Sequence, residues 1–274
     1  MTLEIIVGNL RDGYNQLQPG TMLHADQLMA EQVKDANLRN QAFYVADGPL
    51  YSLEGQKKTP TLWLTREPHN LVLRHLNDEV NSSYEQLVNT GNYRPNPEEA
   101  RKAMKAKDTL RIDLTRLHLQ GDDTQWRYLE ISTTKYNKLK PEERKLAERF
   151  YGQGKAFVAA MSVLKEGGID STKVYVVNPG YVQKEATNGP VGRAAWRYDF
   201  DSNAGSLAGN RGVSNPDGVR GVRRESVGEM PTGRALEKSS AAAMFEQVLK
   251  YSAPFVPDVA RAQYNTGLRK LLKA

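Results

Sequence analysis

The chain contains no cysteine among its 274 residues. It therefore has no disulfide framework, no thiolate metal site and no cysteine nucleophile. No run of 18 apolar residues occurs, so a membrane-spanning helix is not expected. The first eight residues have too short an apolar run for a signal peptide, and they carry Glu4 where a signal peptide would be positively charged. These features predict a cytoplasmic protein, with export by another route left open.

One segment of the chain also lacks several common residue types. Residues 197–218 contain no Lys, Glu, Gln, Met or Trp, although these five types make up 59 of the 274 residues. A window of this length drawn at random holds about five of them and is empty in about half a per cent of draws. None of the five types has a codon of the form N-N-C, and every residue type in the window has one. The composition indicates codons randomised at their first two positions, as in a binding surface under diversification. The alternative is an ordinary Gly- and Asn-rich surface loop.

The formal net charge of +6 permits binding to nucleic acids. Basic and acidic residues alternate along most of the chain, however, which is typical of solvated helix faces. A basic nucleic-acid-binding protein therefore stays as the alternative function. Its phosphate contacts would come from four residues near the C-terminus: Arg261, Arg269, Lys270 and Lys273.

Hydrophobic patterning predicts short strands with helices between them, which is an α+β fold. A hairpin is expected around Asp47-Gly48-Pro49, and a long amphipathic helix from 71 to 88 includes Val80 on its apolar face. The other expected strands are 59–65, 109–114, 126–131, 173–177 and 219–223. The other expected helices are 9–40 in part, a short one opened by Asn96 and Pro97, 141–150, 156–165, 235–251 and 257–273.

The end of the window resembles a known family. The matching pieces are Arg193-Ala194-Ala195-Trp196, Phe200, Ala208, Arg211 and Arg220-Gly221-Val222-Arg223. Their order is similar to the C-terminal end of C-type-lectin-like domains, above all the variable proteins of diversity-generating retroelements. In that family an error-prone reverse transcriptase miscopies template adenines, so that codons such as AAC scatter into N-N-C codons. The resemblance covers about 30 residues, and the sequence continues for 50 residues beyond it.

The resemblance implies a C-type-lectin-like domain at 41–225 with helical insertions and a variable region at about 194–224. An N-terminal helical extension would occupy 1–40, and a C-terminal helical extension 226–274. The implied function is non-enzymatic binding of a macromolecular ligand, expected to be a protein, without a cofactor. The oligomeric state is left open.

Two sets of positions follow for the recognition face. The residues expected to be exposed, variable and in contact with ligand are Arg197, Tyr198, Asp201, Ser202, Asn203, Gly205, Leu207, Gly209, Asn210, Ser214, Asn215 and Asp217. The residues expected to form the fixed scaffold are Ala195, Trp196, Phe200, Ala208, Arg211, Gly221 and Val222.

Catalytic and metal-binding motifs are not evident. The four histidines, His24, His69, His75 and His118, lack ligand partners at useful spacing, so packed or surface roles are expected. Glu67-Pro68-His69-Asn70 departs from the Glu-Pro-Asn calcium motif of lectins. Four carboxylates are expected near one another across a hairpin, and they leave a hydrolase with a site near Asp113 and Glu130 as a further alternative. The four are Asp113, Asp122, Asp123 and Glu130.

Overall fold

The computed structural model describes residues 3–39, 41–197, 204–209 and 211–224, with the backbone alone at 204–209, 211 and 212. The chain divides into two units, Met1–Arg224 and Glu225–Ala274. The predicted helices at 235–251 and 257–273 and the predicted C-terminal extension lie outside the described residues. No helix in the described ranges has the length and apolar character needed to cross a membrane.

Within the described ranges the chain forms eleven strands and eight α-helices, which confirms the α+β class. The strands are β1 (Glu4–Ile6), β2 (Phe43–Tyr44), β3 (Gly48–Glu54), β4 (Thr59–Thr65), β5 (Leu110–Asp113), β6 (Trp126–Ser132), β7 (Ser171–Val177), β8 (Val191–Gly192), β9 (Ala194–Arg197), β10 (Ala204–Gly209) and β11 (Val219–Gly221). The helices are α1 (Leu10–Asn15), α2 (Ala25–Lys34), α3 (Leu71–Arg74), α4 (Ser83–Thr90), α5 (Pro97–Met104), α6 (Pro141–Tyr151), α7 (Lys155–Glu166) and α8 (Pro179–Glu185).

The strands form three sheets. A five-stranded sheet has the order β2-β9-β10-β7-β6, a four-stranded sheet has the order β5-β4-β3-β8, and β1 pairs with β11. In the five-stranded sheet β10 runs parallel to β7, while the other neighbours are antiparallel. The sheet brings β10, which belongs to the compositionally unusual segment, between two strands from different parts of the chain.

The five-stranded sheet separates two apolar clusters. Alternate side chains of a strand point to opposite faces, so Phe43 and Ala195 join the larger cluster while Tyr44 and Trp196 join the smaller one. Helices α2, α6 and α7 contribute to the larger cluster, and α3, α4 and α5 contribute to the smaller one. Burial on both faces at β2 and β9 explains why Ala194 to Arg197 are all buried.

The N-terminal segment takes part in this core. It contains helices, as expected for 1–40, but it begins with β1, which pairs in antiparallel register with β11. Ile6 on β1 and Val219 on β11 are 3% and 0% exposed. Leu28 and Met29 of α2 lie in the larger cluster. The segment that precedes the five-stranded sheet is therefore integrated with the chain that follows the unusual segment.

Several local expectations are wrong. Gly48 and Pro49 lie inside β3, and β2 pairs with β9 rather than β3, so there is no hairpin at Asp47. The long amphipathic helix is two helices, α3 and α4, and Val80 between them is 90% exposed. Tertiary pairing and the capping side chain of Ser82, which accepts from the Glu85 N–H, override the local pattern.

Other expectations are confirmed. Strand β4 spans the predicted 59–65, and β6, β7, α6 and α7 lie within about two residues of their predicted ends. Asn96 caps α5 by accepting a hydrogen bond from the Glu98 N–H, and Pro97 occupies the first turn. These elements carry strong local signals, either clean alternation or a capping residue followed by proline.

Candidate recognition surface

The unusual segment contains regular structure. A 22-residue irregular stretch was expected, but Ala204–Gly209 forms β10 and Arg211–Ser214 forms a short 3₁₀ helix. The reason is tertiary, because β7 and β9 each offer a row of backbone groups that need partners. Strand β10 supplies those partners, with Ser206 opposite Tyr175 on one side and opposite Trp196 on the other.

Buried apolar side chains bound the segment. Trp196 before it is 6% exposed, and Val213 within it and Val219 after it are fully buried. The Trp196 ring meets Tyr44 edge-on, with 5.9 Å between the ring centroids. The position of Trp196 agrees with its expected part in the scaffold.

The end of the 3₁₀ helix and the loop that follows it combine exposed side chains with a backbone that is held by hydrogen bonds. Ser214 and Asn215 are exposed and Asp217 is half-buried. The Tyr44 hydroxyl donates to the Asn215 carbonyl at 2.8 Å, and the Gly218 N–H donates to the Gly8 carbonyl at 3.0 Å. Burial raises the pKa of the Asp217 carboxyl. Hydrogen bonds from Tyr44 and to Gly8 therefore hold the loop by its backbone, and the Asn215 side chain faces solvent.

Two glycines after the loop allow close backbone approach. Gly218 has a φ of +98°, and a Cβ there would lie 3.0 Å from the Ile6 carbonyl oxygen. A Cβ at Gly221 would lie 2.7 Å from the Thr21 carbonyl oxygen. Both positions need glycine for the chain to pack against the N-terminal segment, which agrees with the scaffold part expected of Gly221.

The expectation that Arg197 is exposed is wrong. Its side chain is 2% exposed, its Nε donates to the Gln32 side-chain oxygen at 2.5 Å, and its guanidinium lies 4.9 Å from the centroid of the Tyr151 ring. Burial lowers the pKa of Arg197, which the nearby Tyr151 opposes. Strand β9 is interior to its sheet and covered on both faces, so a side chain at this position is directed into the protein.

The remaining predicted positions divide into two groups. Gly205, Leu207, Ala208 and Gly209 lie in β10, Arg211 lies in the 3₁₀ helix, and Ala195 and Val222 are buried and half-buried on either side. The positions that fall outside the described residues are Tyr198, Phe200, Asp201, Ser202, Asn203 and Asn210.

A solved structure resembles this arrangement at the level of the fold. The description of this structure concerns how the C-type lectin fold accommodates massive sequence variation in Nanoarchaeota. The superposition has a TM-score of 0.53 at 10% sequence identity and covers 81% of this chain and 97% of the other. The chain has a C-type lectin fold. No protein-family model and no curated protein sequence matches it. The C-type lectin fold is in general a scaffold for binding rather than for catalysis.

The segment from Glu67 to Asn70, which departs from the calcium motif of lectins, contributes to the structure through hydrogen bonds. The Asn70 side chain donates to the Ala46 carbonyl and accepts from the Val72 and Leu73 N–H groups, so it caps α3. Glu67 accepts from the Tyr14 hydroxyl at 2.6 Å. A cleft of about 670 Å³ lies beside them. The Asn70 side-chain oxygen thus accepts two backbone hydrogen bonds, which use both of its lone pairs, so it is not available as a calcium ligand.

Two of the four histidines, His24 and His69, line the same cleft, and the other two do not line it. His24 lies 3.6 Å from the buried Asp47, and His75 lies between Asp78 and Glu99 at 2.6 and 3.0 Å. His69 lines the cleft and His118 is exposed. Within the described ranges no group of three or more His, Asp and Glu side chains is arranged to hold a metal ion.

The hairpin expected to bring four carboxylates together does not form. Asp113 ends β5 in the four-stranded sheet, whereas Glu130 lies on β6 in the five-stranded sheet. Asp123 accepts from the backbone N–H groups of Gln125 and Trp126 in the turn before β6, and Asp122 is exposed. Strands β5 and β6 follow one another along the chain but belong to different sheets, so the pairing assumed for a hydrolase site is wrong.

The sequence did not indicate which of the predicted strands would lie beside β10. Strand β7 lies next to β10 and carries Lys173 and Tyr175 at outward positions, and β6 lies next to β7 and carries Tyr128. The two tyrosine rings lie 5.5 Å apart and the Lys173 ammonium lies 4.7 Å from the Tyr128 ring centroid. Both strands are predicted from the sequence, but only the sheet order places β7 beside β10 and β6 beside β7.

Proposed function

We propose that this chain is a non-enzymatic binding protein whose recognition face is diversified within 197–218 on a C-type lectin scaffold. One observation carries the proposal. The segment whose residue types all have N-N-C codons is bounded by buried anchors, Trp196 and Val219, while Ser214 and Asn215 are exposed between them. A held backbone that carries exposed side chains is the arrangement that a diversified surface needs.

The physical argument concerns tolerance to substitution. Side chains that do not fill the core can change without leaving cavities, and loops on a rigid base carry such side chains. The segment is rich in Ser, Gly, Asn and Asp and contains Tyr198. Antibody paratopes use the same residue types, with small polar side chains for adaptable hydrogen bonds and tyrosine for contact area. A protein ligand fits this chemistry best.

The ligand-contacting set is revised by one residue. Arg197 leaves the set because its side chain is buried against Gln32 and Tyr151. The positions that the proposal keeps are Tyr198, Asp201, Ser202, Asn203, Gly205, Leu207, Gly209, Asn210, Ser214, Asn215 and Asp217. The solved C-type lectin fold described as accommodating massive sequence variation supports the proposal by analogy of fold.

Simultaneous substitution of Ser214, Asn215 and Asp217 by other residues with N-N-C codons should leave the melting temperature within about 3 °C of the parent. The reason is that the loop backbone is held by the Tyr44 hydroxyl and by the hydrogen bond from the Gly218 N–H to the Gly8 carbonyl. Thermal unfolding of about twenty such triple variants, followed by circular dichroism, measures the effect.

The matched control is Trp196→Ala, which removes a buried ring just before the segment and should cost about 3–5 kcal/mol. Loss of folding in most of the triple variants would show that the loop side chains support the structure, and the proposal would then be abandoned.

The genetic source of the diversity is tested by sequencing the DNA around the gene. We expect a near-repeat of the stretch that encodes about 194–224, differing where the copy has adenine, together with a reverse transcriptase gene. A locus without such a repeat would reduce the codon bias to chance or to an inherited relic. The nucleic-acid alternative would come next, tested by binding to mixed-sequence DNA that weakens steeply with salt.

A further inference from the structure

A group of partly exposed side chains lies on the outer face of β6 and β7. Trp126, Tyr128, Lys173 and Tyr175 form it, and we call it the aromatic ledge. Trp126 is 36% exposed and the other three are half-buried. Their strand neighbours Leu129, Val174 and Val176 point to the other face and are buried in the larger cluster, so the ledge is the solvent face of a strand pair whose inner face is fully packed.

The register joins the ledge to the diversified segment. Tyr128 pairs with Tyr175, Tyr175 lies opposite Ser206 of β10, and Lys173 lies opposite Ala204. Neighbouring strands are about 4.8 Å apart. The aromatic ledge therefore begins one strand away from β10 and continues the same sheet surface.

The electrostatics of the ledge indicate what it contacts. The Lys173 ammonium lies over the Tyr128 ring, and in the part of the chain that the structure describes no carboxylate is within ion-pair distance of it. Its cross-strand neighbour Glu130 instead accepts hydrogen bonds from Gln120 and Ser171, at 3.0 and 2.8 Å. The ledge thus offers aromatic surface and an ammonium group that forms no ion pair with any of the described carboxylates.

We infer that the aromatic ledge is the constant half of the recognition face and contacts a carboxylate on the surface of a protein ligand. This inference rests on the proposed function, since it assumes that the diversified segment binds a ligand. Tyrosine and tryptophan contribute most of the binding energy at many interfaces because they bury large areas at small entropic cost. A constant ledge would supply affinity common to all ligands, while the diversified positions choose among them.

The test uses the full chain displayed on yeast. A library is made in which eight codons of the segment are randomised as N-N-C. The randomised positions are Tyr198, Asp201, Ser202, Asn203, Asn210, Ser214, Asn215 and Asp217. The library is selected against ovalbumin, an acidic protein, and in parallel against lysozyme, a basic one. We expect the selection to yield binders to ovalbumin. In these binders, Lys173→Ala and Tyr175→Ala should each raise the Kd for ovalbumin by about tenfold.

Lys165→Ala on the exposed surface of α7 is the matched control, and it should leave the Kd unchanged. Tyr128→Phe keeps the ring under the ammonium and should also retain binding. Melting temperatures of all variants separate lost contact from lost folding, and Lys173→Ala removes no core side chain.

The other outcomes overturn the inference in distinguishable ways. If neither Lys173→Ala nor Tyr175→Ala changes the Kd of the binders, the inferred role of the aromatic ledge is refuted and the proposed function still stands. A library without binders to either protein would refute both. Binding of the oligonucleotide (dT)12 that is lost in Tyr175→Ala would identify the ledge as a single-strand stacking platform instead.

Discussion

At the scale of single residues, Asp47 is the most demanding position in the described core. Its side chain is fully buried, with Arg149 Nε at 3.1 Å, the Ala25 N–H at 2.8 Å and the His24 ring at 3.6 Å. Burial by itself would raise the pKa of this carboxyl, but interaction with His24, the charge of Arg149 and the Ala25 N–H together hold the pKa below its usual value. The ionised carboxylate therefore stabilises the fold.

Asp47→Asn should destabilise the protein by about 3–5 kcal/mol at pH 7, because it leaves the buried Arg149 without its carboxylate. A lowered pKa stabilises the folded state above the unfolded pKa of about 3.9, and this contribution is lost as the pH falls below that value. The deficit of the variant in melting temperature should therefore be smaller at pH 3 than at pH 7. Asp170→Asn, at an exposed position, is the control and should change little at either pH. Equal deficits for Asp47→Asn at both pH values would contradict this account.

At the scale of elements, the pairing of β1 with β11 holds together two ends of the described chain. The strands are only three residues long, so their stability comes from burial of Ile6 and Val219 rather than from strand propensity. The next residue, Val7, is 71% exposed. Neighbouring residues of similar chemistry thus differ sharply in environment.

Ile6→Ala should cost about 2–5 kcal/mol, because it leaves a cavity beside Val219 and Leu10. Val7→Ala should stay within about 0.5 kcal/mol, since its side chain is exposed. The midpoints of urea unfolding for the two variants measure both values. Similar midpoints would mean that β1 does not pack as described.

The success of local prediction also differs between elements for a physical reason. Strand β4 and helix α5 were predictable, since TPTLWLT is rich in strand formers and Asn96-Pro97 is a strong helix start. Strand β10, AGSLAG, has no β-branched or aromatic residue and reads as a loop. It becomes a strand because β7 and β9 provide partners on both sides.

At the scale of the whole molecule, the described residues of the unit Met1–Arg224 form two apolar clusters. The unit Met1–Arg224 thus contains its own core. We expect a fragment of residues 1–224 to unfold cooperatively, with a near-ultraviolet circular dichroism signal from its packed aromatic side chains. The full chain is the reference. A fragment without that signal would show that residues beyond 224 are needed to complete the core.

The candidate surface could be predicted only in part. Codon-compatible composition located the segment, and the identity of Trp196 and Gly221 indicated scaffold positions. The burial of Arg197 and the neighbourhood of Tyr175 and Lys173 were not predictable, because both depend on which strands flank β9 and β10. Patterns among neighbouring residues do not determine which strands pair when those strands are distant along the chain.

The sequence by itself determined the α+β class, most of the regular elements and the position of the compositionally unusual segment. These follow from alternation, capping and composition, which are properties of neighbouring residues. Tertiary structure alone decided the order of the sheets, the integration of β1 with β11, and the aromatic ledge beside β10. Those features depend on long-range pairing, in which buried backbone groups and apolar faces find partners wherever the folded chain brings them.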